Sequence, residues 1–350
     1  MARQLGLFAD GEPARTPPKD VPRDFDPTTL PVPPKRGPAR VRFGTSSWTY
    51  PGWQGQVFSD VGRYGSRFGR LCLGEYARDP RFRTAGADNL YYVAPRERLQ
   101  MLQEYRRLVG DVPGFDLCPK VWHGITVHRY TPQQQATWRL NSEINRFFLD
   151  PQAFLEEVLW PLEQGLGPHL GPLILEVQEN TLSPEAFAAA LDRFLGAARA
   201  RASFRLGVEL RTRAHLSDRY LDVLSAHGMA HVLNAWTRMP PIGWQLQRLC
   251  HRLQWDLFIV RALLRPGTFS GCGAFVPGSR YDEAVEAFAP YDRIQVRLPQ
   301  VRNDILKVVA TSGEVPVYVL VNNRLEGCAP QTIEELQAQL WGPASDVLWP

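Results

Sequence analysis

The chain has 350 residues, 44% of them hydrophobic and 22% charged, which excludes a wholly disordered protein and allows one large α/β barrel or two medium domains. No apolar run approaches the roughly 18–20 residues that a membrane-spanning helix needs. A net charge of +4 is too small to establish a nucleic-acid partner.

No apolar leader stands at the start, and the five cysteines (72, 118, 250, 272, 328) form no C-x-x-C pair. A cytoplasmic protein with free thiols is therefore expected, with no membrane contact. Of the 40 basic residues only four are lysine (19, 35, 120, 307). An arginine-heavy surface suits phosphate contacts, although genomic base composition produces the same bias.

Residues 1–40 hold nine of the 30 prolines and almost no aliphatic periodicity, so they read as a disordered, proline-rich tail. Its start, Gln4-Leu5-Gly6-Leu7-Phe8, resembles the Q-L-x-L-F peptide that tethers bacterial DNA-processing proteins to the replicase sliding clamp. Leu7 and Phe8 supply adjacent apolar anchors, Leu5 a further contact, and Gln4 an amide for the pocket rim. The bland alternative is a short apolar start that folds back on the domain.

From residue 41 onward, short apolar runs alternate with helical patterns. The runs cover 41–47, 86–92, 116–121, 172–178, 205–211, 230–236, 257–263 and 315–322. Amphipathic helices are expected at 97–108, 185–199, 216–227 and 331–340. Eight strands alternating with helices predict a single (β/α)8 TIM barrel over 41–350. A doubly wound sheet would usually carry a glycine-rich turn after the first strand, and Gly44-Thr45-Ser46-Ser47 is not one. The stretch 122–170, with helices expected at 133–148 and 151–164, is long enough to cap the barrel mouth.

Chemistry in such barrels sits at the C-terminal ends of the strands. Six runs finish in a charged or amide residue: Lys120, Glu176, Glu209 with Arg211, Asn234, Arg261 and Asn323. Unpaired buried charge is costly, so these groups either meet one another or face a wet pocket. Glu209 and Glu176 are the candidate acid and base, Lys120, Arg211 and Arg261 the anion holders, and Asn234 and Asn323 the orienting amides. Trp48, Tyr50 and Tyr92 are candidates for stacking on a ring of the ligand. A structural ion-pair layer explains any one of these residues equally well.

The glycine-rich stretch 265–273 is a weak phosphate-loop candidate. No cofactor is predicted. His227 and His231 have helical spacing but Gly228 interrupts them, and His231 reads as a core histidine. A divalent metal held through carboxylates stays open.

The chain resembles the YecE-like proteins, domain of unknown function 72, over residues 41–342. The resemblance rests on Phe43-Gly-Thr-Ser-Ser-Trp-Thr-Tyr-Pro-Gly-Trp53, Glu75-Tyr-Ala77, Tyr91-Tyr92, Lys120, Leu170-Gly-Pro-Leu173, Val208-Glu-Leu-Arg211, Val260-Arg261 and Val317-Tyr-Val-Leu-Val-Asn-Asn323. It implies a TIM barrel and no settled reaction. Several positions depart from the family pattern. Its strand-two glutamate falls on Gly86, its strand-four glutamine on Glu176, its strand-five histidine on Thr212, and its strand-seven His-Gly on Leu263-Leu264.

Two function classes follow. One is a hydrolase acting on a phosphate-containing substrate, nucleotide or nucleic acid, tethered to the clamp. The other is a non-catalytic module binding nucleotide or nucleic acid. Glycosidase chemistry is a further option, since paired carboxylates and ring-stacking aromatics suit it.

Overall fold

All eight expected strands form, five or fewer residues each. In the computed structural model, which describes residues 25–93, 98–178, 181–236, 238–263 and 290–343, they are β1 (Val41–Thr45), β2 (Thr84–Ala87), β3 (Asp116–Pro119), β4 (Leu173–Val177), β5 (Leu206–Leu210), β6 (Ala230–Asn234), β7 (Phe258–Ala262) and β8 (Val317–Val321). All pair in parallel, six in the order β1-β8-β7-β6-β5-β4 and two as β2-β3. Two short seams close the ring. Bridges Leu117↔Leu170 and Lys120↔Ile174 join β3 to β4. Arg83 N donates to Phe43 O at 2.9 Å beside β1 and β2. At that seam a Cβ on Gly44 would stand 1.9 Å from the Thr84 carbonyl oxygen, so only glycine lets the two backbones approach this closely.

The barrel interior is filled in layers, because alternate residues of each strand point inward. The lower layer is polar: Tyr318 donates to Asp116 at 2.8 Å, and Arg42 pairs with the same carboxylate at 3.3 Å. Above it lies an apolar plug that includes Cys118, Ile174, Val232, Ile259 and Leu320. The upper layer carries the charged strand ends. A larger apolar cluster packs the outer strand faces against the helices.

Local chemistry sets the helix ends. Ser183 caps Pro184–Arg199 and Ser217 caps Asp218–His227, each accepting from a backbone amide three residues on. Gly228 ends the second of these in the left-handed conformation, φ 61°.

The expected helix at 133–148 shortens to Pro132–Trp138. A Thr131–Gln134 capping box starts it, but none of its residues is buried, so no apolar face extends it, and it stops at Arg139 with φ 55°. The helix expected at 151–164 runs from Pro151–Phe154 through a wide π turn, Leu155–Leu159, into Trp160–Leu166. Pro161, which lacks an amide donor, sits just beyond the wide turn.

Residues 25–40, expected to belong to the extended tail, lie against the barrel. Arg78 donates to the Thr28 and Leu30 carbonyls, each at 3.0 Å, and Lys35 donates to the carbonyls of Ala77 and of Asp79, the latter at 2.7 Å. Gln4, Leu5, Leu7 and Phe8 lie outside the described residues, as does the stretch 265–273.

Burial pushes the Lys35 ammonium down to about 7, against the raising effect of Asp79. The unfolded chain then holds this proton up to an ordinary lysine pKa, while the folded chain releases it earlier. Stability referred to this group therefore rises with pH from about 7 to about 10.5. Denaturant titrations at pH 7 and pH 9.5 are expected to show wild type gaining stability relative to Lys35→Met at the higher pH. Parallel pH dependences would contradict it.

Candidate functional site

The C-terminal rim of the barrel brings together the five charges expected there. Glu176 and Glu209 are direct partners in the β4–β5 register, so their carboxylates lie side by side on the inward face. Arg211 follows β5 by one residue with the inward parity of Glu209. Arg261 stands on β7, and Lys120 immediately follows β3. All five are less than a tenth exposed.

They are sealed mainly by one another. Lys120 Nζ lies 2.7 Å from Glu176 Oε2, and Arg211 Nη2 donates to the same oxygen. Arg211 Nη2 also sits 3.2 Å from Glu209 Oε1. Arg261 Nη1 donates to Glu209 Oε2 at 3.2 Å and lies 3.8 Å from Glu176 Oε2. A sixth member completes the set: Arg261 Nη2 donates to Asp88 Oδ2 at 2.6 Å. Three cations thus face three carboxylates. Rings flank them, with Lys120 Nζ 4.3 Å from the Tyr91 ring centroid and the Arg211 guanidinium carbon 4.3 Å from that of Trp236.

Among the described residues the pairing leaves four buried polar atoms without a hydrogen-bond partner: Glu209 Oε1, Arg211 Nη1, Arg261 Nε and Asp88 Oδ1. The 3.2 Å approach of Arg211 Nη2 to Glu209 Oε1 is an ion-pair distance without hydrogen-bond geometry. Orphaned buried groups of this kind are uncommon in structural ion pairs, which usually satisfy their members.

The two glutamates titrate in opposite directions. Burial alone raises Glu176, but Arg211, Lys120 and Arg261 overcome it and hold the carboxyl well below the usual range. Burial dominates at Glu209, and the neighbouring charge of Glu176 adds to it. Together they outweigh Arg211 and Arg261, so Glu209 is raised. Adjacent carboxyls pushed apart in this way differ in acidity, Glu209 the weaker acid and Glu176 the stronger.

The remaining expected site residues have partners outside the charge cluster, although Asn234 is in register with Arg261 and Tyr92 acts on Lys120. Asn234 is fully buried, donating to the Leu210 carbonyl at 3.0 Å and accepting from Trp236 N at 3.0 Å. Asn323 accepts from Trp53 Nε1 at 3.2 Å and from Ala329 N at 2.9 Å, bracing the loop after β8. Trp48 is packed edge-on against Tyr105, and the Tyr50 hydroxyl accepts from Tyr291 N at 2.6 Å. Both rings pack among neighbouring aromatics. Tyr92 is part of an aromatic cluster with Tyr91, His123, Tyr130 and Trp138, where Trp138 stacks on His123 at 4.0 Å.

His231 is buried with Tyr220 at 2.9 Å and Gln245 at 3.2 Å, as a core histidine should be. Among the described residues no group of three or more His, Cys, Asp or Glu is placed to hold a metal ion.

Sequence reasoning missed Asp88 and Trp236. With the second strand set at 86–92, Asp88 falls inside the run. The strand ends at Ala87, which puts Asp88 at the rim, two residues beyond Gly86. A side chain at Gly86 would meet the Ser46 carbonyl oxygen at 2.9 Å, so the acidic group on this strand end stands at 88.

Parallel strands closed into a ring, with inward charges at their C-terminal ends, define a (β/α)8 barrel. The chain belongs to the family described as Protein of unknown function DUF72, whose model matches residues 42–347. It is similar to the crystal structure of a DUF72 family protein from Enterococcus faecalis V583, at 16% identity and TM-score 0.55, covering 89% of this chain and 98% of that one. A second crystal structure of that protein matches at 15% identity and TM-score 0.49, covering 87% and 98%. A DUF72 family protein from Thermotoga maritima MSB8 matches at 15% identity and TM-score 0.44, covering 86% and 98%. The first of these supports the barrel fold. No curated protein matches the chain.

Proposed function

We propose that the upper layer of the barrel is an acid–base site for a phosphate-containing substrate, and that the protein is a hydrolase of that class. The observation that carries this reading is the set of unpaired buried atoms on charges that otherwise pair. Among the described residues Arg211 Nη1 and Arg261 Nε are guanidinium donors with no acceptor, beside a glutamate whose pKa is raised by burial. An anion accepting from those donors would sit next to Glu209. The protonated carboxyl of Glu209 would donate to the leaving-group oxygen as water adds to phosphorus and the ester phosphorus–oxygen bond breaks, the water's proton returning to Glu209, while Glu176 stays ionised and holds Lys120 and Arg211 in place. Net neutrality of the six charges becomes one positive charge when Glu209 is protonated, which favours anion entry.

The second reading is a module that binds nucleotide or nucleic acid through the same unpaired donors, without turnover. Incubation of the purified chain with phosphomonoesters, phosphodiesters and nucleotides separates the two. Release of product by wild type but not by Glu209→Gln supports the hydrolase. Binding without turnover supports the module.

We further propose that Gln4, Leu5, Leu7 and Phe8 bind the sliding clamp, which would bring the barrel to DNA. Two apolar anchors on a short peptide imply weak affinity, about micromolar. In the full chain, Leu7→Ala with Phe8→Ala should remove roughly 2–4 kcal/mol of apolar burial and abolish detectable clamp binding. The melting temperature should not move. A lowered melting temperature, or undiminished binding in a polarisation titration, would show instead that the peptide is part of the domain or a coincidence.

A further inference from the structure

A second arginine cluster lies on the outer surface, away from the strand ends. A cavity of about 170 Å³ opens between the helices Phe68–Leu71 and Arg98–Val109, with Phe25 and Asp26 on its edge. Arg67, Arg70 and Arg107 line it, together with Glu104. The two carboxylates are already engaged by one arginine: Arg107 reaches Asp26 at 3.1 Å and Glu104 at 3.3 and 3.4 Å. Asp26 also accepts from Thr28 N at 3.0 Å. The side chains of Arg67 and Arg70 have no hydrogen bond or ion pair with any described residue, which leaves two guanidinium groups lining one concave space.

We propose that this cavity binds a phosphate group, as a second anion site distinct from the barrel mouth. Two unpaired guanidiniums call for a ligand with several acceptor oxygens and more than one negative charge. A carboxylate brings one charge and two oxygens to the pair, whereas a phosphate brings a second charge and a further oxygen. The same chemistry is offered by a free phosphate ester and by the backbone of a nucleic acid.

The test uses the full chain with three probes: inorganic phosphate, adenosine monophosphate and a fluorescent single-stranded oligonucleotide. Arg67→Gln with Arg70→Gln is compared with wild type and with a control of equal charge, Arg248→Gln with Arg252→Gln. The control residues already pair with Asp218 and Asp222 at 2.7 and 3.0 Å. All four arginines lie at the surface, and melting temperatures check folding.

The expected result is a loss of affinity of about tenfold or more in Arg67→Gln/Arg70→Gln, with little change in the control. Loss of binding to phosphate and adenosine monophosphate identifies a small phosphate ester as ligand. Loss restricted to the oligonucleotide identifies a nucleic-acid backbone, and its salt dependence should fall with it. Equal affinities in the two double variants, or no binding of any probe to wild type at millimolar concentration, overturn the proposal.

Discussion

Glu209→Gln is expected to lower hydrolysis of the substrate by about 100-fold or more while the protein stays folded. The substitution keeps the shape of the side chain and its hydrogen-bonding length. It removes the carboxyl whose burial and nearness to Glu176 favour the protonated form. An amide cannot pass a proton to a leaving group. The loss should fall mainly on kcat, because Arg211 and Arg261 still hold the anion. The wild-type rate should also decline as pH rises through the raised pKa of Glu209, and this limb should vanish in the variant. A variant with wild-type kcat would remove Glu209 from the chemistry.

Arg261→Met should destabilise the fold by about 3–5 kcal/mol, the usual cost of stranding buried charges. Arg261 is the one cation that touches all three carboxylates of the rim: Asp88 at 2.6 Å, Glu209 at 3.2 Å and Glu176 at 3.8 Å. Its removal leaves Asp88 without its ion pair and forces Glu209 to rely on Arg211 alone. The cost should shrink when Glu209→Gln is added, since one of the stranded charges then disappears. Denaturant titration of the four proteins in this cycle measures the effect. A loss below about 1 kcal/mol would mean that water, rather than Arg261, solvates the rim.

The strand pattern was legible because each strand is a short apolar run closed by a polar residue of inward parity. β4, β5 and β7 each carry an inward charge directly at or beside their last inward position, so Glu176, Glu209 and Arg261 stood out. The second strand was harder. Its residues Thr-Ala-Gly-Ala are small because β1 and its following turn press close, and the larger aliphatic and aromatic residues just after it drew the expected boundary downstream. Asp88 was hidden by that shift.

The helix Leu73–Arg78 gave no amphipathic period, because every one of its residues is buried. The asparagines carry a weaker signal. An amide at a strand end serves backbone carbonyls and amides as readily as a ligand, and Asn234 and Asn323 do the former. Trp48 and Tyr50 lie after β1 where a mouth residue belongs, yet neighbouring aromatics absorb both. No spacing rule distinguishes an aromatic that plugs a rim from one that stacks on a ligand.

The most direct test of the site is calorimetric titration of the full chain with nucleoside monophosphates and sugar phosphates, comparing wild type, Arg211→Gln and Arg67→Gln/Arg70→Gln. The account predicts that at least one of these ligands binds wild type with a component weakened about tenfold or more by Arg211→Gln and untouched by the outer-surface variant. If no ligand binds wild type, or if every ligand binds folded Arg211→Gln as tightly as wild type, the charged rim is a structural ion-pair layer and not a ligand site.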